Sequence, residues 1–160
     1  YNQGVNTTQK LAWQVFDHCK DLIGKKALII ALEGPLGAGK TTFVQGFAQA
    51  LGVNETVHSP TFLILKTYKI QNTKYKIRYL IHIDCYRIAS PKELLHLGFR
   101  ELRKDKDAVI LVEWADRIMS LLPRDAVWIE FIHGKRRNER LIKFKMQRPK
   151  IKMTMKNVKL

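Results

Sequence analysis

The sequence predicts an α/β fold, a single domain in which a mostly parallel central sheet is extended by antiparallel strands. The 160 residues suffice for one domain with one core and are too few for two. Short apolar runs of the kind that form buried strands alternate with segments of helical periodicity. A glycine-rich segment, residues 34–41, lies between the first of these runs and a helical segment. Proteins of this class bind ligands at such a place, outside the carboxyl ends of the strands.

The N-terminal third contains two predicted helices and one buried strand. Residues 6–8 offer side-chain oxygens that can cap a helix, and apolar residues then recur at helical spacing from Leu11 to Ile23. Residues 27–32 form a short apolar run before the glycine loop, which we interpret as a strand buried on both faces. Residues 40–51 are helical again and a glycine stop follows them.

The rest of the chain is predicted to complete the sheet. We expect strands over residues 62–70, 74–84, 108–112, 127–132 and 140–146, the last two forming a hairpin. Ser90 caps a helix that begins at Pro91 and that Gly98 interrupts. Residues 1–148 therefore form the domain, and residues 149–160 are a basic tail that fits either an edge strand or disorder.

The charge is high and unevenly distributed. The chain has 29 Lys and Arg against 14 Asp and Glu, a net charge of +15. Residues 135–160 contain eleven Lys or Arg and one acid, Glu139, and so carry +10. Such a surface attracts nucleic acid, an anionic membrane or an acidic partner, and the charge alone does not choose among them.

The sequence predicts no membrane-spanning segment, and its cysteines favour a reducing compartment. No apolar run reaches the ~18 residues that a spanning helix needs. Cys19 and Cys85 form neither a disulfide framework nor a CxxC pair. We expect a cytoplasmic protein that does not enter a membrane.

Residues 34–41, GPLGAGKT, match the phosphate-binding loop pattern GxxxxGK[ST]. In such a loop consecutive backbone N–H groups point at phosphate oxygens, and the following helix N-terminus favours an anion. Lys40 would reach the outer phosphates, the Thr41 hydroxyl would bind magnesium, and Thr42 could contact an inner phosphate. A plain glycine turn is the alternative, but the strand before and the helix after favour phosphate binding.

Two acids end apolar strands and can complete a magnesium site. Asp84 follows residues 79–83, and Glu113 follows residues 109–112. In nucleotide-binding proteins a carboxylate at this sheet edge holds the metal or orients water. We expect Asp84 to hold magnesium directly or through water, and Glu113 to orient the attacking water or support the metal. A solvated acid at a strand end is the alternative for each.

Other residues near these motifs leave two interpretations open. Residues 59–61, SPT, fit a hydroxyl-bearing loop that senses the terminal phosphate, or a proline turn. Arg87 could touch phosphate or pair with a surface acid. Trp114 is a lid over the site or, more commonly, a core aromatic. Trp13 and Trp128 fit packing positions, and the five histidines show no metal-ligand spacing.

The ordered set of residues 34–42, 59–61, 84–87 and 113–114 resembles the TsaE family of P-loop ATPases, also called YjeE-type. The family's blocks are close to GxLGAGKTT, SPT[FY], DxYR and EW, and residues 93–98 resemble its ELxxLG segment. The resemblance implies ATP and Mg²⁺ as cofactors, slow hydrolysis, and the TsaD–TsaB pair as partner. That pair attaches threonylcarbamoyl to the adenosine beside the tRNA anticodon, and family members support or reset it.

The resemblance also assigns roles to residues. It implies Lys40 and Glu113 as catalytic residues, and Thr41, Asp84 and Glu113 as magnesium ligands. The implied nucleotide-binding residues are Gly34, Leu36, Gly37, Ala38, Gly39, Lys40, Thr41, Thr42, Thr61, Arg87 and Trp114.

The chain departs from the family pattern in two places. Pro35 stands where an acidic or amide residue is common; its side chain is not a phosphate ligand, so we expect binding to survive. The basic segments 135–137 and 148–160 lie outside the pattern, and they either approach tRNA in the assembled complex or form a solvated end.

Two other functions compete with an accessory ATPase. A small P-loop kinase for a nucleoside or metabolite would need an acceptor pocket and an arginine-bearing lid, and no lid is evident after Glu113. A nucleic-acid-binding module with a vestigial nucleotide site is disfavoured by the intact Lys40, Thr41 and Asp84. We expect hydrolysis well below the ~10 per second of a typical enzyme, because no arginine finger is evident.

Overall fold

The structure, a computed structural model, describes residues 3–71, 73–136 and 139–145. The helices are α1 (Gln3–Cys19), α2 (Lys40–Leu51), α3 (Pro91–His96) and α4 (Phe99–Leu102). The strands are β1 (Leu28–Glu33), β2 (Leu65–Lys69), β3 (Tyr79–Asp84), β4 (Ala108–Glu113), β5 (Val127–His133) and β6 (Arg140–Lys145). Three 3₁₀ segments cover Lys20–Leu22, Thr73–Tyr75 and Ala115–Leu121.

The six strands form one sheet in the order β2-β3-β4-β1-β5-β6. The four central strands β3, β4, β1 and β5 pair in parallel, whereas β2 and β6 pair antiparallel at the two edges. The predicted α/β class, with a mostly parallel sheet extended by antiparallel strands, is therefore confirmed. The register aligns Asp84 with Glu113 at the carboxyl ends of β3 and β4, which brings both acids to one edge.

Apolar side chains cover both faces of the sheet. On one face α1 and α2 pack over the sheet, with Phe16, Phe43 and Phe47 in a shared core. On the other face Leu94 of α3 and Phe99 of α4 belong to a second core cluster. Because both faces are buried, the central strands read as continuous apolar runs.

Helix α1 begins earlier and ends earlier than the sequence suggests. It starts at Gln3 instead of at residues 6–8, and it ends at Cys19, after which a 3₁₀ turn covers Lys20–Leu22. Thr8 is buried, so this polar residue lies within the packed helix and does not cap its end. The assignment of Trp13 to a packing position is also wrong, since its side chain is 49% exposed.

The strand predicted over residues 62–70 is shorter than expected. Only Leu65–Lys69 forms β2. Phe62 and Leu63 lie in a turn, 81% and 70% exposed, because the backbone folds back so that the Leu63 N–H donates to the Pro60 carbonyl at 2.9 Å. These two apolar side chains therefore extend from a loop beside the sheet edge.

The strand predicted over residues 74–84 is also shorter. It consists of Tyr79–Asp84 alone, because a 3₁₀ turn covers Thr73–Tyr75 and Lys76 has a positive φ of 56°. Neither conformation can continue a strand.

The remaining predicted helices and strands form close to the expected limits, and residue 146, the predicted end of the last strand, lies outside the described residues. The Ser90 side chain accepts from the Lys92 N–H, and the Glu93 carboxylate accepts from the Ser90 N–H, forming a capping box at the start of α3. Gly98, with φ of 83°, separates α3 from α4. Strands β5 and β6 form the expected hairpin.

Two predictions concern the C-terminal part of the chain. The tail 149–160, and with it the predicted boundary after residue 148, lies outside the described residues.

Among the residues that are described, no helix has the length and apolar character to cross a membrane.

Candidate nucleotide-binding site

The glycine loop connects β1 to α2, and Gly34 and Gly39 show why its backbone needs glycine. Gly34 has φ of 137°, and a Cβ there would collide with the Phe131 carbonyl oxygen of the neighbouring strand. Gly39 precedes α2 with φ of 101° and provides no side-chain cap. The first N–H groups of α2 therefore lack a capping side chain and are oriented toward the loop, which is the arrangement that binds anions.

The Lys40 ammonium group lies at the mouth of this loop. Its Nζ donates to the carbonyl oxygens of Gly34 at 2.6 Å and Pro35 at 2.8 Å, and it lies 4.0 Å from the centroid of the Trp114 ring. Burial lowers the pKa of Lys40 below its ordinary value, and the nearby Glu113 carboxylate opposes that shift. A cation is thus held beside backbone N–H groups, where phosphate would enter.

Glu113 ends β4 and joins two other elements. The Thr41 hydroxyl at the start of α2 donates to its Oε1 at 2.9 Å and lies 3.0 Å from its Oε2. The Nε2 atom of His82 on β3 lies 2.8 Å from Oε1. Glu113 is only 3% exposed, so these contacts fix the position of its carboxylate.

The sequence reasoning missed His82. A usable signal was present, because His82 lies two residues before Asp84 in a strand and therefore faces the same side of the sheet. Metal-ligand spacing along the sequence does not detect a hydrogen bond from a histidine to a carboxylate on a neighbouring strand.

Asp84 accepts hydrogen bonds at both carboxylate oxygens. Its Oδ2 accepts from the Thr61 hydroxyl at 2.7 Å and from the Ser59 hydroxyl. Its Oδ1 accepts from the Tyr86 N–H at 2.9 Å. The SPT segment therefore contacts the predicted metal-binding acid with both hydroxyls, and Ser59 is a site residue that was predicted only as part of the loop.

These groups surround one open cleft of about 380 Å³. The cleft is lined by residues 36–42 together with Ser59, Thr61, Asp84, Tyr86, Glu113 and Trp114. The structure thus brings nearly all of the predicted site residues together.

Two predicted nucleotide-binding residues lie elsewhere. Arg87 is exposed, and its guanidinium lies 4.3 Å from the centroid of the Phe62 ring, outside the cleft lining. Gly34 contributes a carbonyl to Lys40 and a close backbone approach to β5, but it does not line the cleft.

Trp114 lies in the wall of the cleft. The commoner alternative for such a residue, a position in the interior of the core, is not the one observed. It is partly buried and packs its ring at 5.1 Å from the ring of Tyr86. Its φ of 57° is in the left-handed region, which is uncommon for a bulky residue and typical of functional sites.

The donor set fits magnesium. The Thr41 hydroxyl and the carboxylates of Asp84 and Glu113 are hard oxygen ligands at one sheet edge, which Mg²⁺ prefers. Within the described ranges, no three His, Cys, Asp or Glu residues form a metal-holding group. Magnesium commonly keeps several waters and uses one or two carboxylates plus substrate phosphates, so these residues suit an ion that arrives with a nucleotide.

The sheet order, the glycine loop with its lysine, and the two acids at the strand ends define a P-loop protein of the α/β class. The family model described as threonylcarbamoyl adenosine biosynthesis protein TsaE matches residues 3–142. The chain belongs to the TsaE family.

Individual relatives agree with this membership. Proteins named tRNA threonylcarbamoyladenosine biosynthesis protein TsaE from Haemophilus influenzae and Bacillus subtilis are 36% and 43% identical over 99 and 101 residues. The alignments cover 62% and 63% of this chain and 59% of each relative, less than two thirds of their length. The crystal structure of YdiB from Bacillus subtilis superposes with a TM-score of 0.61 at 31% identity, covering 89% of this chain and 80% of that one.

Proposed function

We propose that the chain binds ATP with magnesium in this cleft, hydrolyses it slowly, and serves as an accessory ATPase in the threonylcarbamoyladenosine modification of tRNA together with the TsaD–TsaB pair. The observation that supports this most strongly is the meeting of Lys40, Thr41 and Glu113 in one cleft of a TsaE-family chain. The names of the relatives support the pathway.

Phosphate binding would exchange the partners of Lys40. Its ammonium group now donates to two neutral carbonyl oxygens. Phosphate oxygens carry negative charge and attract the ammonium group by Coulomb interaction in addition to hydrogen bonding, so they compete well with neutral carbonyls for Lys40. The uncapped N–H groups at the start of α2 add donors for the same anion.

The oxygen ligands are arranged to receive magnesium with the nucleotide, and the ion would neutralise charge on the phosphates. The Thr41 proton is directed to Glu113, which leaves the lone pairs of the Thr41 oxygen available to a cation. Asp84 already accepts from Ser59, Thr61 and the Tyr86 backbone. We therefore expect Asp84 to act through a metal-bound water, and Glu113 to orient the attacking water.

Hydrolysis by the chain alone should be slow. None of the residues that line the described cleft is an arginine, and an arginine finger typically contributes ~10³–10⁵ in rate to this chemistry. A partner that supplies a cation or orders the cleft would accelerate the reaction, which fits an accessory role.

A reconstituted modification reaction tests this function. TsaD–TsaB, tRNA and the threonylcarbamoyl donor are incubated with wild type, with Lys40→Ala, or with the exposed control Lys92→Ala, and the modified nucleoside is measured by mass spectrometry. We expect sustained modification with wild type and Lys92→Ala, and its loss with Lys40→Ala. Equal modification with and without the protein would contradict the proposal, and a phosphorylated metabolite or nucleoside would favour the kinase alternative.

We also propose that the basic hairpin approaches tRNA in the assembled complex. Lys135 and Arg136 are exposed at the turn between β5 and β6. Arg137 and the basic tail 148–160 lie outside the described residues. The high positive charge of this region supports contact with phosphate backbone.

A further inference from the structure

His82 is a buried polar side chain whose role the proposed chemistry leaves open. It lies in β3 with 0% exposure, and its Nε2 atom is 2.8 Å from Glu113 Oε1. Its other ring nitrogen, Nδ1, has no hydrogen-bond partner among the described residues. Buried polar atoms are nearly always paired, so an exception calls for an explanation.

The contacts of the ring select one tautomer. An ionised carboxylate only accepts hydrogen bonds, so Nε2 must carry a proton for the 2.8 Å contact to be a bond. A neutral imidazole has one ring proton, and Nδ1 is then an acceptor lone pair. A proton on Nδ1 would instead leave a buried N–H without an acceptor, which is the more costly arrangement.

The same contacts constrain the Glu113 carboxylate. Oε1 is approached by both His82 and the Thr41 hydroxyl, whereas among the described residues Oε2 is approached by Thr41 alone, at 3.0 Å. The single Thr41 proton cannot fully satisfy both oxygens. Glu113 lines the cleft, and with Oε1 held by His82, Oε2 keeps lone-pair capacity that His82 does not use.

We propose that His82 is a positioning residue, which fixes the plane of the Glu113 carboxylate through Nε2–H so that Oε2 is presented to the water that attacks ATP. This inference rests on the proposed function, because it requires Glu113 to act in hydrolysis. It goes beyond that function by assigning the orientation of Glu113 to a buried residue on a neighbouring strand that does not line the cleft.

The test separates positioning from packing. His82→Gln keeps a side-chain N–H that can donate to Oε1, whereas His82→Leu removes the donor and remains apolar. Leu80→Val, two residues earlier on the same buried face of β3, is the control for loss of packing. For each variant the midpoint of thermal unfolding, the Kd for ATP and the single-turnover hydrolysis rate are measured.

We expect His82→Leu to lower the single-turnover rate about 10–100-fold, as loss of a residue that orients a site ligand commonly does, with the Kd for ATP close to that of wild type. His82→Gln should restore most of the rate, and Leu80→Val should keep it despite reduced stability. A wild-type rate in folded His82→Leu, or equal losses in the Gln and Leu variants, would overturn the proposal.

A spectroscopic readout is independent of ATP hydrolysis. Long-range ¹H–¹⁵N spectra identify the tautomer of His82. The His82 signals are assigned as those that disappear from the spectrum of His82→Leu. We expect the Nε2–H form, with a change in the Nε2 resonance in Glu113→Gln. An Nδ1–H tautomer would refute the inference even if the protein is an ATPase. If the Nε2–H form is found but wild type does not hydrolyse ATP with or without its partners, the proposed function fails and positioning for hydrolysis falls with it.

Discussion

Lys40, Thr41 and Asp84 line the cleft, and each already has hydrogen-bond partners in the free protein. Lys40 donates to loop carbonyls, Thr41 donates to Glu113, and Asp84 accepts from Ser59 and Thr61. Nucleotide binding would therefore exchange one set of hydrogen-bond partners for another, and each of these buried polar groups has a partner in the free protein.

Glu113→Gln should separate binding from hydrolysis. The amide keeps the size of the side chain and can still accept from Thr41, but it cannot take a proton from water. We expect the Kd for ATP to change little and the hydrolysis rate to fall by about 10²–10⁴, the usual contribution of a general base. Isothermal titration and phosphate release measure the two quantities.

Glu33→Gln is the matched control, because Glu33 ends β1 as Glu113 ends β4 but does not line the cleft. It should hydrolyse ATP at the wild-type rate. A Glu113→Gln protein that retained wild-type hydrolysis would remove Glu113 from the catalytic role.

Site residues that are contiguous in sequence could be predicted, whereas contacts between residues on different strands could not. Residues 36–42 could be predicted because the loop is contiguous and its glycine, lysine and threonine positions are set by phosphate geometry. The contacts of His82 with Glu113 and of Ser59 with Asp84 join residues 31 and 25 positions apart. They depend on strand order and register, which the pattern of one strand does not contain.

At the scale of elements, the packing of α1 on α2 depends on a glycine. A Cβ at Gly46 would lie 2.6 Å from the Gln9 Cα, so the two helix backbones approach closely at this point. Alanine is intrinsically better than glycine in a helix by about 1 kcal/mol. Overpacking typically costs about 1–3 kcal/mol and should outweigh that gain.

Gly46→Ala is therefore expected to lower the free energy of unfolding, by about 1 kcal/mol net. Urea unfolding measures the change, and Gln49→Ala, at an exposed position of the same helix, should have little effect. A Gly46→Ala protein more stable than wild type would show that the helices are not in close contact here.

Element boundaries were predicted less well than element types, for a physical reason. Phe62 and Leu63 are apolar and favour strand on their own, but the Leu63 and Ile64 N–H groups donate to the Pro60 carbonyl and turn the chain. Conversely, the limits of α2 were predicted correctly, because Gly39 and Gly52 both adopt left-handed conformations at its ends and such glycines are local signals.

At the scale of the whole molecule, the two buried cysteines make the stability of the fold depend on pH. Cys19 and Cys85 are buried on opposite faces of the sheet, and burial raises the pKa of each thiol from the ordinary 9.0 to about 12. The folded state disfavours the thiolate, whereas the unfolded chain ionises freely above pH 9. Their contribution to stability is therefore complete below pH 9 and is lost as the pH rises toward 12.

The free energy of unfolding should consequently fall between pH 9 and 11 by up to about 1.4 kcal/mol per pH unit for each thiol. The Cys19→Ala, Cys85→Ala double variant should be less stable at pH 7 but should show a shallower decline. Urea unfolding at each pH measures this, and identical slopes in the two proteins would contradict the assignment.

The basic hairpin is tested by salt dependence. The Lys135→Gln, Arg136→Gln variant should weaken tRNA-dependent activity and flatten its dependence on salt, because fewer phosphate counterions are released. Lys25→Gln, Lys26→Gln, at exposed positions of another loop, is the control with equal loss of charge. If the hairpin variant keeps both the activity and the salt dependence of wild type, the hairpin does not contact tRNA and is a solvated surface.

The most direct test of the account is magnesium-dependent ATP hydrolysis by wild type and Glu113→Ala, each with and without the TsaD–TsaB pair. We predict slow hydrolysis by the isolated protein, well below ~10 per second, a clear increase with the pair, and loss of that increase in Glu113→Ala. Hydrolysis that is indifferent to the pair, or equally fast in Glu113→Ala, would contradict an accessory ATPase that acts through this cleft.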